Sequence, residues 1–257
     1  MPERARDGAA HAGEPGVRSV DRLPQLGEAL AVCAHPDDES FGLGAVFGAL
    51  SDQGTRVRVL CFTRGEASTL GETRLLLGEI RAGELAAAAA VLGVEEVTLL
   101  KYADGHLGDV PVEELAQRVD EATGSARVLV VFDEGGISGH PDHRAATAAA
   151  LLAADRRELS VLAWVVPDRV ADTLNAEHGT SFVGRSDVDV DYAVEVDRQR
   201  QRQAIACHAS QSADNHVLWR RLELSGAFES LRWLRPPPWT AVTTGQTVDS
   251  TGFEGGA

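Results

Sequence analysis

Lysine is almost absent from this 257-residue chain: Lys101 stands alone, and every other basic residue is an arginine. Against 39 acidic side chains there are 24 basic ones, for a formal charge of −15. No basic stripe is available to neutralise phosphates, so no nucleic-acid partner is expected. The same imbalance disfavours a polybasic membrane contact, and no apolar run approaches the length of a membrane span. Residues 1–22 are polar and lack the apolar stretch of a secretory signal. Cysteine is scarce as well. Cys33, Cys61 and Cys207 are odd in number, so a complete disulfide framework is ruled out, and their spacing is not that of a metal ligand set. Cys33 and Cys61 lie in apolar runs, where a free thiol acts as a small hydrophobe. A cytoplasmic protein with no membrane partner is the expectation.

What is present is enough apolar residue, 44% of the chain, to fill a sizeable core. Nearly continuous apolar runs at 30–34, 56–63, 96–102, 127–132 and 161–166 have the length and β-branched content of parallel strands covered on both faces. Alanine- and leucine-rich segments of helical length separate them, at 42–53, 78–92, 112–123 and 141–155, and Gly54, Gly93 and Gly124 follow three of these as stops. This alternation predicts a single Rossmann-like α/β domain with a doubly wound, mostly parallel sheet. Polar–apolar alternation over 187–196 predicts an edge or antiparallel strand, and two further helices are expected at 197–209 and 214–229. The domain is bounded at 25–240, between a disordered arm (1–24) and a flexible tail (241–257).

Two short clusters carry chemistry. Ala-His-Pro-Asp-Asp-Glu (34–39) directly follows the first strand, and Gly-His-Pro-Asp-His (139–143) follows the fourth after a loop. In a parallel sheet both project from the carboxyl edge, where ligands bind. His35 and Asp38 are three residues apart on a turn into a helix start, where negative charge is favoured. His140 and His143 share that spacing, with Pro141 suited to the first helical position. Two neutral imidazoles and one carboxylate make a zinc ligand set that leaves a position open for water, and a nearby carboxylate can then take that water's proton. For a lone cluster, a structural histidine and a capping aspartate would be equally good explanations; two clusters on one sheet edge favour a functional site.

These residues resemble the PIG-L/LmbE-like zinc-dependent N-deacetylases. The similarity extends over Thr63-Arg64-Gly65-Glu66, Arg81-Ala-Gly-Glu-Leu, Asp104-Gly105 and His208-Ala-Ser-Gln, and spans roughly residues 28–215. The resemblance implies an enzyme that hydrolyses the N-acyl group of a small aminosugar or glycoside. It implies zinc, with iron(II) an alternative, on His35, Asp38 and His143, and Asp37 as general base. His140 would stabilise the oxyanion or protonate the departing amine, with Asp142 orienting it, and Arg81 and Asp104 would contact substrate. A homo-oligomer is compatible with it. Some relatives that act on a glucosamine-inositol carry tyrosine two residues before the first histidine of the second motif; this chain has Ser138 there.

Other readings compete. Gly42-Leu-Gly44-Ala-Val-Phe-Gly48 suggests a dinucleotide fingerprint, but Asp37, Asp38 and Glu39 occupy the approach where a pyrophosphate would sit. A non-haem iron oxygenase also uses two histidines and a carboxylate, on different elements, and a non-catalytic metal or ligand binder is the third alternative. His208 is expected as a packing or pocket-wall residue, His106 near the pocket, and Trp219, Trp233 and Trp239 as part of a C-terminal cover.

Overall fold

The apolar runs become neighbouring strands of one sheet. The computed structural model describes residues 18–20, 22–70 and 76–238. The chain opens with β1 (Arg18–Val20) and β2 (Glu28–Cys33), turns through α1 (Asp38–Phe41) into α2 (Gly44–Ser51), and continues with β3 (Arg56–Thr63) and α3 (Leu77–Leu92). Then come β4 (Glu96–Tyr102), α4 (Val112–Thr123), β5 (Val128–Phe132), a kinked turn α5 (Gly136–Gly139) and α6 (Pro141–Arg157). The last part carries β6 (Ser160–Pro167), α7 (Asp168–His178), β7 (Gly184–Arg185), β8 (Tyr192–Glu195), α8 (Gln199–Cys207), α9 (Ala209–Ser212), α10 (His216–Ser225) and β9 (Phe228–Arg235).

The sheet order is β1-β8-β9-β6-β5-β2-β3-β4, with β7 added to β6. From β6 to β4 all neighbours are parallel, whereas β9 runs antiparallel to both β6 and β8. Side-chain alternation along each strand divides the core in two. Ala29, Ala31, Val57, Val59, Val128 and Val130 face one way and pack with Phe47, Leu50, Leu85 and Leu92 of α2 and α3. Leu30, Val32, Leu60, Phe62, Leu129 and Val131 face the other way, against Leu115, Val119 and the fully buried alanines of α4 and α6. Small residues let α6 lie close to the sheet. Its first residues carry the second histidine cluster, so the carboxyl edge receives both motifs, as expected.

Several expectations are revised. The segment assigned to an arm includes β1, paired with β8, and a buried Leu23; residues 1–17, the tail 241–257 and Trp239 lie outside the described residues. The helix expected at 42–53 runs from Gly44 to Ser51, preceded across Gly42 by the short α1. A Cβ at Gly42 would come within 2.4 Å of the Phe132 ring, so the glycine run allows close packing and has no need of a phosphate. The strand expected over 187–196 is shorter, since residues 187–189 form a 3-10 turn. The helix expected to reach 229 stops at Ser225. The following residues enter the sheet as β9, where Glu229, Ser230 and Leu231 are buried between β6 and β8; pairing on both sides overrides their helical tendency. Trp219 and Trp233 donate to Ser212 O and Tyr192 OH; Trp233 packs on the core as expected of a cover, whereas Trp219 is 37% exposed. Among the described residues, no helix is long and apolar enough to cross a membrane.

Phe47 is fully buried between α2 and the sheet. Phe47→Ala is expected to lower unfolding stability by about 3–5 kcal/mol, read as a shift of the urea midpoint at unchanged slope; a loss below about 1 kcal/mol would contradict this packing.

Candidate active site

After β2 the chain passes through Ala34, His35 and Pro36 to Asp37, whose φ of 122° lies where non-glycine residues rarely sit. Such a residue costs about 1–3 kcal/mol unless its surroundings hold it. Here they do. The Asp37 carbonyl accepts from Ser40 N and Phe41 N at 3.0 and 2.7 Å, its amide donates to Glu39 Oε2 at 2.9 Å, and its carboxylate accepts from Arg81 Nη2 at 2.9 Å. Arg81 also donates to Pro36 O and, at 2.8 Å, to Gly65 O. Gly65 has φ of 63°, and its missing side chain leaves the space that the guanidinium fills. The turn is thus braced from the ends of β3 and α3. Asp38 Oδ2 accepts from Ala34 N and His35 N, at 2.9 and 3.0 Å, which leaves Oδ1 facing inward.

His143, on the first turn of α6, meets that oxygen. Its Nε2 lies 3.0 Å from Asp38 Oδ1 and 3.2 Å from His35 Nδ1. The outer nitrogens decide the tautomers. His143 Nδ1 faces Gly136 O at 3.2 Å, and His35 Nε2 faces Asp104 Oδ1 and Asp142 Oδ2 at 3.1 and 3.2 Å, so each outer nitrogen carries a proton. In the neutral imidazoles, two lone pairs and a carboxylate oxygen then converge on one point. A proton satisfies one of these contacts; a divalent cation satisfies all three. The donor set therefore fits a metal ion, and its outer contacts are those that orient histidine ligands. The charges agree. Burial opposes ionisation of Asp38, but His143 and His35 outweigh it and hold the carboxyl well below its usual range. Burial also opposes charge on His35, yet hydrogen bonds to Asp104 and Asp142 raise it to about 10, so its inner nitrogen holds a proton that a bound cation would displace. Burial pushes Asp37 up to about 6, with Arg81 pulling the other way.

His35, His140 and Asp142 form a second group close enough to share an ion. Asp142, however, is fully buried, and its oxygens are occupied by Gly105 N at 2.7 Å, Leu107 N at 3.0 Å and His35. That group is structural. These contacts bear on three expected roles. Asp142 orients His35, and only its backbone amide touches His140, donating to Nδ1 at 3.2 Å. Asp104, expected on substrate, shares His35 Nε2 with Asp142 and accepts from Ala67 N. Arg81 is likewise committed to the loop and to Asp37, although both it and Asp104 border the cleft. His140 is half-buried. Burial and the neighbouring imidazoles lower its pKa, so it stays neutral, and because Nδ1 accepts, its proton sits on Nε2. His208, expected as a packing or pocket-wall residue, and Glu39, which had no assigned role, are both buried behind Asp37. His106 is exposed and pairs with Asp109.

The residues surround a cleft of about 560 Å³. His35, Asp37, Asp38 and His143 line it together with an apolar wall of Phe41, Phe132, Ile137, Trp164, Phe182 and Leu218. Phe132 packs edge-on against His143 with centroids 4.9 Å apart, so this wall begins at the metal trio itself.

An α/β sheet whose carboxyl edge gathers two imidazoles and a carboxylate, with a second carboxylate alongside, defines a metal-site domain of the doubly wound class. A family model described as PIG-L, GlcNAc-PI de-N-acetylase, matches residues 30–154. A 1D-myo-inositol 2-acetamido-2-deoxy-alpha-D-glucopyranoside deacetylase of Acidothermus cellulolyticus is 33% identical over 195 residues, 62% of this chain and 67% of that protein. The chain belongs to the PIG-L family. A protein of the same description from Kineococcus radiotolerans is 34% identical over 160 residues, but the match spans only 49% of this chain and 44% of that relative. Among solved structures, the zinc-inhibited form of teicoplanin deacetylase Orf2 overlays with a TM-score of 0.61 at 19% identity, covering 82% of this chain and 99% of that one. That likeness shows the fold.

His35→Ala is expected to abolish stoichiometric zinc binding, and Asp142→Ala to weaken it by roughly 10–100-fold. Competition titration against a chromogenic chelator measures both. Unchanged affinity in Asp142→Ala would remove Asp142 from its orienting role.

Proposed function

We propose that the protein is a metal-dependent amide hydrolase that removes the N-acyl group, acetyl in the first instance, from a small aminosugar-containing molecule. One observation carries this reading: the inner imidazole nitrogens of His35 and His143 and a carboxylate oxygen of Asp38 converge beside Asp37, a carboxylate braced by Arg81 with a raised pKa. His35, Asp38 and His143 would hold the ion, zinc by donor chemistry with iron(II) an alternative. A cation there supplies Lewis acidity, acidifying water and polarising an amide carbonyl. Asp37, fixed by Arg81, takes the proton of the attacking water. The Nε2–H of neutral His140 is the donor available to the developing oxyanion. The C–N bond then breaks, and the leaving nitrogen takes a proton from Asp37 or His140.

The substrate class rests on the relatives, whose names specify 2-acetamido-2-deoxyglucopyranosyl inositol and GlcNAc-PI. Ser138 borders the cleft where some of them have tyrosine, and an apolar wall extends from the trio. Both features favour a carrier other than free inositol, with an apolar portion. We assign the chemistry to residues 25–240 and place it in the cytoplasm, in line with three free thiols. The glycine run offers a dinucleotide no phosphate cradle, because Gly42 and Gly44 abut Phe132 and Gln201.

Asp37→Ala is expected to keep one equivalent of metal while losing roughly 10²–10⁴-fold in kcat. The checks are metal analysis and amine release from a panel of N-acetylglucosaminides with polar and apolar aglycones. Substantial hydrolysis by the variant would remove Asp37 as the base. Chelation is expected to abolish wild-type amine release, and added zinc to restore it; activity that survives chelation would overturn the metal dependence.

A further inference from the structure

Behind the cleft lies a buried polar group that neither holds the metal nor enters the chemistry above. Glu39 is 1% exposed and His208 fully buried. Glu39 Oε1 accepts from His208 Nε2 and from Ser40 Oγ, each at 2.6 Å, and Oε2 accepts from the Asp37 amide at 2.9 Å. A carboxylate in such a place is costly to desolvate, and an apolar pair of similar volume would serve packing as well or better. What it accomplishes is visible at its other oxygen. The amide it receives belongs to the residue with φ of 122°, and that conformation aims the Asp37 carboxylate at Arg81.

His208 comes from the far end of the chain. It caps α8 at the junction with α9, where its carbonyl accepts from Gln211 N and Ser212 N at 2.9 Å. α9 is in turn tied to α3, because Ser210 N and Oγ donate to Glu84 at 2.8 and 2.6 Å. Gln201 of α8 adds donors to Ser40 O and Phe41 O, both at 3.1 Å. The turn that carries Asp37 is therefore gripped from behind by a segment more than 160 residues later. Ser210 and Gln211 belong to the His-Ala-Ser-Gln motif, which now acquires a physical role.

We propose that Glu39 and His208 form a clamp that holds the strained Asp37 backbone and so positions the carboxylate base. Both are positioning residues, and the inference rests on Asp37 being that base. Glu39→Gln leaves one oxygen where two now serve, so the Asp37 amide and the His208 N–H compete for a single acceptor. His208→Ala removes the donor that orients Glu39, and His208→Gln can supply an N–H in its place.

Two measurements test the clamp. In zinc-loaded Glu39→Gln and His208→Ala, kcat for amine release is expected to fall by about 10²-fold, as for a small misplacement of a catalytic group, with KM and zinc affinity near wild type and partial recovery in His208→Gln. Independently of activity, hydrogen exchange at the Asp37 amide is expected to accelerate by about tenfold or more in the first two variants, with Val130 in the central sheet unchanged as a control for folding. Wild-type exchange at Asp37 in Glu39→Gln would overturn the clamp. So would a kcat loss explained by lost zinc, or His208→Gln behaving no better than His208→Ala. If the wild type releases no amine from any N-acylated substrate, the hydrolase reading fails, and the exchange measurement still decides whether the clamp exists.

Discussion

The structure turns on three electron pairs that face one another. His143 Nε2 stands 3.2 Å from His35 Nδ1 and 3.0 Å from Asp38 Oδ1, while the outer nitrogen of each imidazole is held by oxygen acceptors. Converging lone pairs repel, so the site demands positive charge at its centre. The rest of the edge makes that demand sustainable. Backbone amides occupy Asp38 Oδ2 and Asp142, a carbonyl fixes His143, and Asp104 and Asp142 together hold His35. These groups come from the ends of β2, β4 and β5, so the parallel sheet sets the spacing.

A second layer serves Asp37, which the metal trio does not fix. Arg81 reaches it from α3 across the loop after β3, while Glu39 grips its amide from within the same turn and is itself held by His208. Asp37 is over-determined from two directions. This is how a backbone outside the usual range persists, and it suits the role of base proposed for Asp37. The apolar wall of Phe132 and Trp164 has a separate cause. It depends on Gly42, whose missing side chain lets the rings lie against the junction of α1 and α2.

Much of this was legible beforehand. Runs covered on both faces read directly as parallel strands, because burial on two sides leaves no polar alternation, and β3, β4 and α4 appear at the expected residues. The two His-Pro-Asp clusters were legible because both follow parallel strands. β9 was not. Its residues are compatible with a helix in isolation, and only pairing with β6 and β8 selects extended backbone. The partners of Asp142, Asp104 and Arg81 were also hidden, because a carboxylate or guanidinium on a loop looks alike whether it meets substrate or a neighbouring backbone amide.

The sequence by itself determined the class of sheet, the two clusters at its carboxyl edge and the residue types able to bind a cation, since these follow from apolar periodicity and local spacing. Tertiary structure alone decided which nitrogen of each histidine carries its proton, which carboxylate braces His35, and that Glu39 and His208 meet behind Asp37. The contacts of His35 with Asp142 and of Glu39 with His208 join residues more than a hundred positions apart, and hydrogen bonds at such separations are set by how the elements pack, which no local pattern of residues encodes.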